Sequence, residues 1–416
     1  MIDLITTNDA CIGCNRCIAS CPSLTANRVV QQQNRQSIVV DSSKCLACGA
    51  CIDACEHNAR EFQDDTQRFL SDLQHGKPIS ILYAPALVAN YPTEYRNILG
   101  ALQSLGAKHI ISVGFGADIT TWAYVNYLQQ HPTPGVISQP CPAVVRYIET
   151  FQPELLPKLI PIHSPLLCAA IYARKYLGIT DAFAFISPCI AKKLEIDDPN
   201  TGGLIHYNVT FDHLIKALNA HGVHGRPAQE EQLAGLGNLY PMPGGLKENV
   251  RWFCGDDVFV QQSEGERVVY RDLKQYAKRV KSGKPLPFLI DALNCEHGCI
   301  DGPGIEQSKQ GSDDMLYALQ AQKAARRGKG AWDRRKSPAA RLRALNRAFS
   351  KLRLEDFMRK YTDRSREHQI QHPSSSALQA IYASLEKHTK EEQNINCGAC
   401  GFSTCEEMAT AIHNGC

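Results

Sequence analysis

Eighteen cysteines in 416 residues carry most of the chemistry that this sequence could perform. Eight of them fall into two runs of the same spacing, Cys-x2-Cys-x2-Cys-x3-Cys: Cys11, Cys14, Cys17 and Cys21, then Cys45, Cys48, Cys51 and Cys55. Four thiolates crowded this closely suit a 4Fe–4S cubane, in which three wrap one cluster and the fourth reaches across to a second. Cys11, Cys14, Cys17 and Cys55 are therefore expected on one cluster, and Cys45, Cys48, Cys51 and Cys21 on the other. Pro22 follows the first run as such runs require, whereas Glu56 stands at the equivalent place in the second. Structural zinc also uses Cys-x-x-Cys, but as two separated pairs. Such clusters move single electrons and perform no substrate chemistry, so a redox partner is implied.

Four further cysteines each follow an apolar run. Val136-Ile137-Ser138 leads to Cys141, Phe183-Ala184-Phe185-Ile186 to Cys189, and Phe288-Leu289-Ile290 to Cys295 and Cys299. Ligands of open parallel sheets bind outside the carboxyl ends of the strands, so these four thiols could converge on one cubane. One such cysteine alone is more often a small buried hydrophobe. Pro or Gly beside the cysteine in all three loops argues for a shared purpose.

The elements that must position these residues read as follows. Gln36–Val40 is a strand between the two N-terminal runs, and residues 62–76 are helical. Apolar runs at Ile79–Ala84, His109–Val113, Val136–Ser138, Ala182–Ser187 and Phe288–Ala292 read as buried strands. Helical segments at Tyr95–Leu105, Trp122–Gln130, Ala143–Phe151 and Leu166–Leu177 lie between them. That alternation predicts an α/β fold with a parallel sheet covered on both faces. Residues 222–247, rich in Gly and Pro, read as a long surface loop, and 313–387 mainly as helix. The boundaries expected are 1–62 for the two-cluster domain, 77–312 for the α/β domain, 313–390 for a helical extension and 391–416 for a terminal cysteine module.

Composition narrows the setting. The chain is 44% hydrophobic and 21% charged with a net charge of +3, ordinary for a globular protein. Met1-Ile2-Asp3-Leu4 lacks the basic start of a secretory leader, and no apolar run reaches the roughly 18–20 residues of a membrane span. A cytoplasmic protein with reduced thiols is expected, and metal ligation rather than a disulfide framework. The basic stretch from Lys323 to Arg353 has few aromatics, which favours a solvated face or a docking surface for an acidic electron carrier over nucleic acid.

The three cysteine loops, in their order along the chain, resemble the signature motifs of the FeFe-hydrogenases. Phe115-Gly116-Ala117-Asp118 and His163-Ser164-Pro165 belong to the same likeness, which covers roughly residues 1–300. The resemblance implies a ferredoxin-like domain with two 4Fe–4S clusters, then a two-lobed parallel-sheet hydrogenase-type domain, then a helical segment with a small Fe–S module. It also implies an H-cluster, a cubane joined to a diiron unit carrying carbon monoxide and cyanide. Carried over, Cys141, Cys189, Cys295 and Cys299 ligate the cubane, Cys299 bridges to the diiron unit, and Lys192 hydrogen-bonds a cyanide. Partners would be H2 and protons, a ferredoxin or other electron carrier, and the enzymes that mature the diiron unit.

The sequence departs from the family where protons must move. Pro140 replaces the relay cysteine before the first ligand, Tyr124 and Tyr127 replace two relay glutamates, and Ile160 replaces a serine. Ser187 and Leu293 stand where methionines pack on the diiron unit. A phenol titrating near pH 10 is a poor relay. Slow turnover is therefore expected, as in the sensory branch of the family, with a signalling partner or domain. Cys397, Cys400, Cys405 and Cys416 resemble a 4Fe–4S module of that branch. Its fourth cysteine stands further on, so either Cys416 substitutes or the chain continues; zinc also suits four sulfurs at loose spacing. The competing function is a non-catalytic iron–sulfur scaffold or carrier. Hydrogenase-like proteins exist that keep the four cubane cysteines, bind no diiron unit and serve iron–sulfur assembly. Cys168 and Cys254 read as structural thiols, and His297 carries no assignment.

Overall fold

The computed structural model describes residues 3–32, 35–228, 235–326, 330–367 and 369–416. They divide into two compact units, one of residues 1–63 with 363–416 and one of residues 64–362.

In the first unit, β1 (Ile5–Thr7) pairs antiparallel with β4 (Arg60–Phe62), and β2 (Asn27–Gln32) with β3 (Arg35–Val40). Each cysteine run turns into one short helix, Arg16–Ala19 or Ala50–Asp53. Each helix is entered through a left-handed residue, Asn15 at φ 65° and Gly49 at φ 90°. Asn and Gly are the residues that adopt this conformation most readily, and the sharp turn lets successive thiols face one centre. The C-terminal part adds helices Ser375–Ser384 and Cys405–His413, joined through Leu378, Ile381, Tyr382, Cys405 and Ala409. Thr404 and Glu407 form a capping box that fixes where the second of these begins.

The second unit holds two parallel sheets. The larger has the order β6-β5-β8-β9, formed by β5 (Ile79–Tyr83), β6 (Ile110–Ser112), β8 (Ala182–Ser187) and β9 (Ile205–Thr210). The smaller runs β10-β11-β7, from β7 (Val136–Ile137), β10 (Val260–Glu264) and β11 (Leu289–Leu293). Every residue of β5 and of β11 is buried, as strands covered on both faces must be. Helices Val113–Gln130 and Pro165–Lys175 start from the serine caps Ser112 and Ser164. They pack so closely that a Cβ at Gly116 would lie 2.1 Å from the Pro165 carbonyl oxygen.

Several expectations change. The helix expected from Trp122 begins at Val113, where the Ser112 side chain supplies the cap by accepting from the Gly114 N–H. The surface loop expected over 222–247 is only partly so: residues 229–234 lie outside the described residues, while Leu236–Leu239 is a buried 3-10 turn and helix Gly245–Cys254 starts within the span. The extension expected over 313–390 is divided, its first part belonging to the second unit and residues from 363 to the first. Its helices are separate pieces, Asp314–Arg326, Pro338–Ala348 and Ser375–Ser384. Among the described residues, no helix is long and apolar enough to cross a membrane.

Candidate iron–sulfur sites

Three loops bring Cys141, Cys189, Cys295 and Cys299 to the carboxyl ends of β7, β8 and β11. Cys141 is the residue before helix Pro142–Phe151, with proline at its first position, so the thiol leaves where strand becomes helix. In the second loop the Ser187 hydroxyl accepts from the Cys189 N–H at 3.0 Å and donates to its carbonyl at 3.2 Å. Asn208 of β9 donates to the same carbonyl at 2.9 Å. The third loop is fastened to the second: Gly304 N–H donates to the Pro188 carbonyl at 2.8 Å. A Cβ at Gly302 would lie 2.4 Å from that oxygen, a contact only glycine allows.

The four thiols sense one another. Burial pushes each above the ordinary thiol value, Cys189 to about 11, and neighbouring thiolates add to it at Cys189, Cys295 and Cys299. Cys141 acts on Cys189, and both act on Cys295 and Cys299. A buried set of mutually repelling sulfurs is a donor set that a shared soft metal core would stabilise, so the residues fit a cubane.

Lys192 links the first two loops by donating to the Pro140 carbonyl at 3.0 Å. Its ammonium also donates to Glu195 Oε2 at 2.5 Å, while Arg359 holds Glu195 Oε1 at 3.2 Å and Asp198 Oδ2 at 2.8 Å. All four side chains are buried. Burial alone would raise Glu195, but Lys192 and Arg359 outweigh it and keep the carboxyl below its usual value.

In the first unit Cys21, Cys45, Cys48 and Cys51 line one cavity with Pro22, Asn27, Val40 and Leu46. Those are the four thiols that the crossed pattern assigns to the second cluster. Cys11 and Cys14 act electrostatically on Cys17. The Cys55 thiol accepts a hydrogen bond from the Ala59 N–H at 3.3 Å. Arg60, buried, donates to Cys17 Sγ at 3.0 Å, to Asn27 Oδ1 at 2.9 Å and to Thr7 Oγ1 at 2.6 Å. Its charge is felt by Cys11 and Cys17 of one set and by Cys45 and Cys51 of the other. At the C-terminus Cys397 is exposed, Cys400 half-buried and Cys405 buried, the last with its N–H held by Asn396 at 2.8 Å. Cys416 turns its thiol to the Thr25 carbonyl at 3.4 Å.

With this geometry in view, the likeness to known proteins is specific. The family described as "Iron only hydrogenase large subunit, C-terminal domain" matches residues 77–303, more than half of the chain. The chain belongs to that family. A 4Fe-4S dicluster domain matches residues 3–56, and a short Fe-S cluster family matches residues 393–415. Iron hydrogenase 1 of Clostridium pasteurianum is 26% identical over 69% of this chain and 68% of its own length. The cytosolic Fe-S cluster assembly factor NAR1 of Encephalitozoon cuniculi is 25% identical over 65% of this chain and 81% of its own. A variant of [FeFe]-hydrogenase HydA1 from Chlamydomonas reinhardtii superposes with a TM-score of 0.52 at 14% identity, covering 72% of this chain and 98% of that one. That likeness shows the hydrogenase fold.

Within this hydrogenase-family domain most positions that depart from the resemblance are buried or tied, while Tyr127 is half-buried with its ring centroid 4.7 Å from that of His131. The Tyr124 hydroxyl donates to Gln139 Oε1 at 2.5 Å, and the Gln139 amide donates on to the Ile162 carbonyl. Burial pushes the Tyr124 phenol well above its ordinary value, so it gives up no proton near neutrality. Ile160 is buried, and its carbonyl accepts from the Tyr361 hydroxyl at 2.6 Å. Ser187 is spent on shaping the Cys189 loop, and Leu293 is core. Cys168 is fully buried and donates to the His163 carbonyl at 3.3 Å, as a structural thiol would. Burial alone raises the half-buried Cys254 to about 11, leaving it unreactive at neutral pH. Sequence reasoning missed Arg60, Glu195 and Arg359, since nothing local marks a charge whose partners lie far along the chain. Glu195 alone left a trace, three residues after Lys192 on one helix face.

Proposed function

We propose that this chain is a redox iron–sulfur protein of the hydrogenase family in which fast exchange of protons with the buried site has been given up. The observation that carries this lies at two relay positions: Pro140 offers no proton, and Tyr124 is locked to Gln139. Electrons would be carried by clusters on Cys11, Cys14, Cys17 and Cys55, on Cys45, Cys48, Cys51 and Cys21, and on Cys397, Cys400 and Cys405, the last with Cys416 or another fourth ligand. Cys141, Cys189, Cys295 and Cys299 would hold a further cubane. The form better supported is a scaffold or carrier with that cubane and no diiron unit. Relatives include a protein named as a cytosolic Fe-S cluster assembly factor, and Lys192, the residue expected to meet cyanide, already serves Pro140 and Glu195. A cytosolic setting accords with the same relative.

A second reading keeps the H-cluster and senses hydrogen. It is favoured by the likeness to Iron hydrogenase 1 and by the donor count at Lys192, where an ammonium has three N–H groups and two are used. A diiron unit bridged from Cys299 would supply the metal at which hydrogen binds and splits. Here the protein would hold the bridging sulfur, present the remaining Lys192 N–H and exclude water. Infrared spectroscopy of anaerobically matured protein separates the forms, because iron-bound carbon monoxide and cyanide absorb where protein scarcely does. A blank window at full iron loading is expected for the scaffold. Bands that shift under hydrogen would replace it with the sensor, and hydrogen oxidation as fast as that of working hydrogenases would sink both.

A further inference from the structure

The short C-terminal cysteine module does not stand apart from the ferredoxin-like domain. Gly401, next to Cys400, lies so close to the loop of the first cysteine run that an added Cβ would be 2.8 Å from the Asn15 carbonyl oxygen and 2.9 Å from Ile18 Cβ. Asn15 and Ile18 flank Cys17, and Asn15 follows Cys14 directly. Gly401 also has φ 90°, so both its conformation and its neighbours exclude a side chain. A second contact closes the far end, where the Cys416 thiol meets the Thr25 carbonyl. The Gln371 N–H donates to Asn414 Oδ1 at 3.0 Å and Asn414 Nδ2 donates to the Gln371 carbonyl at 2.9 Å, tying the last helix to the segment before it. On the module's outer side Cys397 is exposed, and Ile395 is 58% exposed.

We propose that the C-terminal module is the electron port of the ferredoxin-like domain, docked through Gly401 on Asn15 and Ile18 and exchanging electrons with the cluster of Cys11, Cys14 and Cys17. The proposal rests on both motifs holding 4Fe–4S clusters. The transfer would be one electron: a one-electron iron–sulfur carrier protein would reduce a cluster held by Cys397, Cys400 and Cys405 from the 2+ to the 1+ state. That cluster returns to 2+ as the ferredoxin-type cluster goes from 2+ to 1+, and no bond or proton changes.

The test uses the full chain, reconstituted anaerobically and reduced, with iron counted and low-temperature EPR recorded. Cys397→Ser with Cys400→Ser should lower iron by about four atoms per chain. It should also remove broadening of the ferredoxin-type signals beyond what that pair shows by itself. Gly401→Val should keep the iron yet lose the same broadening; should it fail to fold, the double variant decides. Iron that falls while the line shape stays unchanged would overturn the docking and leave the cluster assignment intact. Iron that does not fall at all would remove the C-terminal cluster, and the proposal with it.

Discussion

The ferredoxin-like domain and the hydrogenase-family domain gather the same soft donors by opposite means. In the first, local spacing supplies three thiols of a quartet, Cys45, Cys48 and Cys51, and Cys21 joins them from the other short run, with left-handed turns at Asn15 and Gly49 leading into the two helices. In the second, Cys141, Cys189 and Cys295 come from three strand ends far apart in sequence, and only the completed sheets bring them together. Local assembly needs little fold and leans on the metal. Assembly by strand ends needs the whole fold first and leans on the metal less.

Removing the iron should therefore separate the two domains, and this is the largest effect expected. The first unit, residues 1–63 with 363–416, builds its cysteine-bearing part from short strand pairs and four-residue helices. Folding there is coupled to metal binding. Residues 64–362 instead have an extensive core, from Phe69 and Ile81 through Leu99 to Phe211. In protein produced without iron–sulfur assembly, hydrogen exchange should be unprotected over residues 3–62 and slow at Ile79–Tyr83. Equal protection in both would remove the contrast.

The same contrast decides what could be read in advance. Cysteine spacing is a local signal, and β5 and β8 announce themselves as unbroken apolar runs. β10 does not: Val260-Gln261-Gln262-Ser263-Glu264 is polar, and it becomes a strand because β11 lies beside it. β9 hides in the same way, with Asn208 and His206 inside it. Leu236–Leu239 sits in a stretch whose glycines suggest a loop, yet Gly237 is there because a Cβ would strike the Gly114 carbonyl at 2.0 Å. Non-local packing of this kind leaves no mark in a short window. The charges that tune the sites are illegible for the same reason, since Arg359 reaches Glu195 across more than 160 residues.

Arg359 tests how far the strand-end site depends on such distant support. Arg359→Leu would leave Glu195 and Asp198 buried with one cation, Lys192, for two carboxylates. Breaking a buried pair from one side costs about 3–5 kcal/mol. Urea unfolding of the second unit should shift by that amount. Lys192 would be drawn more strongly to Glu195 and away from Pro140. A change under about 1 kcal/mol would mean that water reaches these carboxylates, and the network would no longer explain the placement of Lys192.

The smallest effect expected falls on the locally assembled sites, at the one buried charge they share. Arg60 touches Cys17, and its field reaches Cys11, Cys45 and Cys51, so a single guanidinium faces thiols assigned to two clusters. Reduction adds negative charge to a cluster, and a buried cation favours that state by Coulomb attraction. Arg60→Met should keep the side chain's bulk, preserve iron content and lower both reduction potentials. A fall of about 60 mV corresponds to a tenfold change in a one-electron equilibrium. Arg60→Lys should restore part of it. Spectroelectrochemical titration reads the result directly. If only one cluster moves, Arg60 belongs to the Cys17 site alone; if neither moves, solvent already screens the charge. A joint shift would mean that even clusters built by local spacing are set to their working potential by a residue from another strand.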